Sequence, residues 1–312
     1  ISAFSLLISS LASAQWLEET VYLPDSCSGV LDPLSIVYNE RENTVYVGGR
    51  KGSCIVVLDG STGKRIARIP AGKHVASLCY NPMSNKVYAV AETNGTLTVV
   101  DCACDTVLAT LRVGETPSAL CYNSQNNKVY CASKGSDYVA VIDGVSDMIV
   151  AVAYMGPGAE PRALCYNPQT NKVYCANRRA HTVVVIDGAS NQIVDTVNIE
   201  RPADPYALCY NSANNKVYCA NRDARRITVI NGAADTVLAV IYTEYTPHAL
   251  CYNPNDNKVY CAEYAVDRVL VIDGETELIL NTPPTGREPC DLCHNTDLHK
   301  VYCANEGTNT VT

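Results

Sequence analysis

One segment recurs seven times along this chain, and that recurrence limits the fold more than any other feature. PRALCYNPQTNKVYCAN at residues 161–177 returns as PSALCYNSQNNKVYCAS from Pro117 and PYALCYNSANNKVYCAN from Pro205. It returns again as PHALCYNPNDNKVYCAE from Pro247 and PCDLCHNTDLHKVYCAN from Pro289. Weaker copies are VASLCYNPMSNKVYAVA from Val75 and PLSIVYNERENTVYVGG from Pro33. The Asn that closes the first apolar run falls at Asn39, Asn81, Asn123, Asn167, Asn211, Asn253 and Asn295, in steps of 42, 42, 44, 44, 42 and 42 residues.

Each unit carries four short runs. ALCY meets a polar turn rich in Asn and Pro, and KVYCA follows. A third run, such as TVVVI at 182–186, ends in Asp-Gly, and a fourth begins a few residues later. Asp-Gly recurs at Asp59, Asp143, Asp187 and Asp273, and becomes Asn231-Gly232 in one unit and Asp101-Cys102 in another. β-Branched residues fill the runs and no 3.6-residue period is present. Four antiparallel strands per unit of this length is the blade of a β-propeller. The expected fold is therefore all-β, a seven-bladed propeller with blades at about 29–70, 71–113, 114–157, 158–201, 202–244, 245–286 and 287–312 plus 16–25.

The two ends fit ring closure. ETVYL at 19–23 matches a fourth strand such as DTVNI at 195–199, and the last unit stops where its third strand begins. A leading strand shared with the trailing unit would complete the seventh blade and remove two exposed sheet edges. Ahead of it, ISAFSLLISSLASAQ reads as the apolar core of an export signal, with cleavage after Ala14. It is too short to span a bilayer, and no later segment is long enough. Gln15 stands where a lipoprotein needs Cys, and Ile1 stands where an open reading frame starts with Met, so a longer protein is expected. Export points to the periplasm, the medium or the cell surface.

The repeated YNPxxNKVYxAN core followed by VIDG resembles the YVTN-repeat β-propeller family (YncE-like), found in exported and surface-layer proteins, over residues 16–312. The resemblance implies a seven-bladed propeller and no single shared activity or catalytic motif. This chain departs from it in its cysteines, which stand where related repeats carry Val or Ala.

Sixteen Cys are present, and five units hold a pair ten residues apart: Cys121 and Cys131, Cys165 and Cys175, Cys209 and Cys219, Cys251 and Cys261, Cys293 and Cys303. If Tyr166 pairs with Tyr174, the two Cys of a hairpin face each other at disulfide distance. If the register differs, they are thiols packed as small hydrophobes. Both readings stay open on the sequence. Cys102 and Cys104 lack the spacing of a zinc site.

Function is less legible. Lys and Arg number 24 against 32 Asp and Glu, a net charge of −8, which disfavours a dedicated nucleic-acid binder. Loops between blades and loops joining strands two and three share one face around the channel mouth. There the otherwise uniform repeat diverges: the position after the inter-blade Pro reads Leu34, Ser118, Arg162, Tyr206, His248 and Cys290, with Val75 where the Pro is lacking. Arg50, Lys51, Glu92, Lys134, Arg178, Arg222, Glu263 and Tyr264 follow strand two. Arg162, Arg178, Arg222, Tyr206, His248, Tyr264 and Glu263 are the candidate ligand-binding residues, suited to an anionic or polar ligand. The alternative is solvated loop residues paired across blades.

No GxSxG elbow, HExxH helix or phosphate loop is present. The main expectation is a non-enzymatic binding or scaffold module without a cofactor, contacting a small molecule, glycan or protein, as a monomer or as one domain. A lactonase-like hydrolase with a funnel-bound metal and a single-strand nucleic-acid binder are the alternatives.

Overall fold

A computed structural model describes residues 31–295, 300–308 and 310–312, and their regular structure is all β. Blade 4 shows the unit. Pro161–Asn167, Lys172–Asn177, Thr182–Asp187 and Ile193–Asn198 pair antiparallel in that order. Six such sheets follow one another, and a seventh holds Pro289–Asn295, Lys300–Asn305 and Thr310–Val311. The fold is a seven-bladed β-propeller, as the repeats imply.

Strands two and three read as unbroken apolar runs because neighbouring blades cover both their faces. Val173, Tyr174, Cys175 and Ala176 are all fully buried. All but one of the core clusters among the described residues span two blades, the exception lying within blade 1: Tyr174, Val183 and Val185 of blade 4, for example, pack with Val217, Cys219 and Ile230 of blade 5. The fourth strand lies at the rim and stays largely exposed.

Polar residues of the repeat lace the blades together on the bottom face. Asn167 Oδ1 accepts the N–H groups of Gln169 and Thr170 and so shapes its own turn. Its Nδ2 donates 2.7 Å to Asn215 of the next blade. The same link joins Asn81 to Asn127, Asn123 to Asn171 and Asn211 to Asn257. The Asp-Gly signal also belongs to this lattice. A Cβ on Gly188 would collide with Asn171 Oδ1 and Asn123 Nδ2, so glycine is required by close approach rather than by its backbone angles. Where Cys102 replaces that glycine, the Asn39–Asn85 link is 3.2 Å, the longest of the series.

The strand register decides the cysteine question. Cys165 stands opposite Tyr174, and Leu164 opposite Cys175. The same offset holds in the hairpins of Cys121, Cys209, Cys251 and Cys293. Members of each expected pair therefore point to opposite faces, and the bridges Cys121–Cys131, Cys165–Cys175, Cys209–Cys219, Cys251–Cys261 and Cys293–Cys303 are not available in this register. The described cysteines are free thiols. Burial pushes the Cys131 thiol up to about 12. In denaturant without reductant, all 16 thiols are expected to titrate with a chromogenic disulfide, and 6 or fewer would contradict the register. In the native protein, exposed Cys104 and Cys293 should react first, while Cys131, Cys175 and Cys219 resist.

Blade 1 has one face without a described neighbour. Ile36 is 67% exposed, whereas its counterpart Leu78 is 9% exposed against blade 1. In blade 7 the buried Tyr302 hydroxyl has no hydrogen-bond partner among the described residues. The expected export signal at 1–14, the closing strand at 16–25 and Cys27 lie outside the described residues.

Candidate functional site

The diverging position after the inter-blade Pro has a structural identity: it is a β-bulge. In blade 4 the register shifts between Pro161 and Ala163, leaving Arg162 as the extra residue. Shifts at the same place single out Leu34, Ser118, Tyr206, His248 and Cys290. In blade 2 the bulged residue is Ala76, and Val75 occupies the buried proline position, which corrects the assignment of Val75. A bulge frees one side chain from the alternation of the strand and re-aims it. The repeat thus presents one such side chain per blade at the channel mouth.

In blades 4 to 6 these side chains meet. The Arg162 guanidinium stands 4.3 Å from the Tyr206 ring centroid and donates 2.6 Å to its hydroxyl. Arg222 stands 5.0 Å from the same ring. Tyr206 lies 4.8 Å from His248, and His248 stacks on Tyr264 at 5.1 Å. The Tyr264 hydroxyl donates to Glu306 of blade 7 at 3.5 Å. Two cations, three rings and a carboxylate form one ladder across four blades.

The electrostatics of the ladder are one-sided. Neither Arg162 nor Arg222 forms a salt bridge among the described residues. His248 Nδ1 is buried without a partner. Burial, then the charges of Arg222 and Arg162, lower the His248 pKa to about 4. The ring is therefore neutral above about pH 5. An unfolded His titrates near 6.5, so the unfolded chain binds more protons between about pH 6.5 and 4, and stability is lost as pH falls through that window. Acid titration of unfolding by urea should show this loss, and His248→Gln should remove about 3 kcal/mol of it. An unchanged profile in that variant would place the ring in water.

Two candidates are not in the ladder. Arg178 Nε donates 2.7 Å to Asp204, which is 2% exposed, so this guanidinium ties the linker between blades 4 and 5. Glu263 is 0% exposed and accepts from Tyr245 N and Arg268 Nε. Glu306 was not among the expected site residues, although it holds the same divergent position after strand two as Arg178, Arg222 and Tyr264. No group of His, Cys, Asp and Glu able to hold a metal ion exists among the described residues.

With fold and site in place, comparison with known proteins assigns the family. A sequence model of the YNCE-like beta-propeller matches residues 18–253. The chain belongs to the YncE-like β-propeller family. Among solved structures, this YncE-like propeller is similar to Kuenenia stuttgartiensis hydrazine synthase, with a TM-score of 0.76 and 17% identity over 96% of this chain and 98% of that chain. At that identity the likeness carries the fold alone. No curated protein sequence matches the chain.

Proposed function

We propose that this YncE-like propeller is an exported, non-enzymatic binding module whose top face holds a planar organic anion. The observation that carries the reading is the pair Arg162 and Arg222, both over Tyr206, with no salt-bridge partner among the described residues. Guanidinium groups in a protein of net charge −8 have many carboxylates to choose from, yet these two form no salt bridge among the described residues. A carboxylate or sulfonate fits their planar forks. The neutral His248 and Tyr264 beside them offer an apolar, stackable surface for the body of the ligand. Export is supported by the apolar stretch and Ala-Ser-Ala at the start of the chain.

Benzoate and benzenesulfonate are suitable probes, with inorganic phosphate as a compact anion for comparison. Calorimetry is expected to show saturable binding of the two planar anions and weaker binding of phosphate. Failure of both planar anions to bind at millimolar concentration would overturn the reading.

A further inference from the structure

On the other side of the ring, blades 1 to 3 carry two adjoining clefts that the ladder does not touch. One, of about 470 Å³, is lined by Arg50, Lys51, Gly52, Ser53, Lys73, His74 and Thr93. Its described lining holds the cations Arg50, Lys51 and Lys73 and no carboxylate. The second, of about 540 Å³, shares His74 and Thr93 and adds Arg112, Glu92, Glu115, Asn94 and Thr116. Together they form one groove over the loops of strands two and three and the linkers between blades.

The groove is held in shape by its own polar contacts. His74 Nδ1 pairs with Glu92 at 2.9 Å, and Lys134 closes on the same carboxylate. Asn94 Oδ1 accepts the Lys73 N–H at 2.6 Å, locking the floor between the two halves. Arg50, Lys73 and Arg112 form no salt bridge among the described residues. In an acidic protein, cations without a salt bridge to a described residue leave positive charge for a bound anion to offset.

We infer that this groove is a second binding site, specific for an acidic oligosaccharide. The cationic half suits the carboxylates or sulfates of the sugar chain through charge-assisted hydrogen bonds. The other half supplies Glu115, Thr116 and Asn94, an alternation of acceptors and donors that suits ring hydroxyls. Among the described residues no Phe, Tyr or Trp lines either cleft, and the one ring present, His74, is tied to Glu92, so successive nucleobases have no stacking platform and single-stranded nucleic acid fits poorly. The groove shares no residue with the Arg162 ladder, so its occupancy is independent of the planar-anion reading.

The test is calorimetry with tetragalacturonate, its neutral methyl ester and an eight-nucleotide oligothymidylate, at low and moderate salt. Expected is saturable binding of tetragalacturonate, with the ester at least about tenfold weaker. The double variant Arg50→Ala and Lys73→Ala should weaken tetragalacturonate about tenfold or more and flatten its salt dependence, with the circular dichroism of the native ring unchanged. Arg162→Ala should leave this affinity as it is. Equal binding of ester and acid, equal or tighter binding of the oligothymidylate, or an affinity unaffected by the double variant would each overturn the inference.

Discussion

Replacing Arg162 and Arg222 together by alanine is expected to weaken benzenesulfonate binding by about a hundredfold and leave the ring folded. Each guanidinium supplies a charge-assisted contact, and neither is already engaged in a salt bridge among the described residues. The ring is expected to tolerate the exchange, since both residues sit at a bulge or in a loop, outside the buried strands two and three that form the core. The matched control is Arg178→Ala. Its charge is already spent on Asp204, so binding should change less than about threefold, while stability falls. Equal losses in both variants would mean that net charge, not the ladder, attracts the ligand.

Lys172→Met carries the largest expected loss of stability. Lys172 Nζ reaches across to Asp235 of the next blade, and Tyr174 donates 2.6 Å to the same carboxylate. Asp235 is buried. Removing the cation leaves its charge desolvated, a cost of about 3–5 kcal/mol. Lys258 offers the contrast. Among the described residues it pairs only with Asp256 on its own hairpin, and both side chains are about a third exposed, so Lys258→Met should cost under about 1 kcal/mol. Urea midpoints of the two variants measure the difference, and equal midpoints would show that the lacing between blades adds no stability.

The repeat made the architecture readable, but not the register. Pairing Tyr166 with Tyr174 assumed a loop one residue longer than the one that forms. Asn167 caps the turn and Asn171 adopts a left-handed backbone, φ 53°, which closes a loop of residues 168–171 and pairs Asn167 with Lys172. That single step turns each cysteine of a pair to a different face.

The site was legible as divergence and not as geometry. Arg162, Tyr206 and His248 stood out because a uniform repeat changed there, yet the bulge that turns them to the mouth has no sequence mark beyond the preceding Pro. Arg178 and Arg222 occupy the same place in successive units and looked alike. Their difference lies one blade further on: Asp204 precedes Pro205 and captures Arg178, whereas Thr246 precedes Pro247 and leaves Arg222 without a carboxylate. Glu263 looked like a ligand group and is instead the buried partner of Arg268. Arg178 finds its partner in the linker to the next blade and Glu263 finds its partner on the adjacent strand of its own blade, and a uniform repeat pattern does not tell the two cases apart.

The most direct measurement is an NMR titration of the His248 ring with and without saturating benzenesulfonate, an anion whose own charge does not change with pH. In the free protein the two guanidiniums and burial hold the pKa at about 4. A bound sulfonate offsets those charges, so the pKa is expected to rise by at least about one unit, and by linkage the affinity to rise as pH falls toward that value. A free-state pKa near 6.5, or one that stays fixed while the anion binds, would contradict the ladder as the binding site.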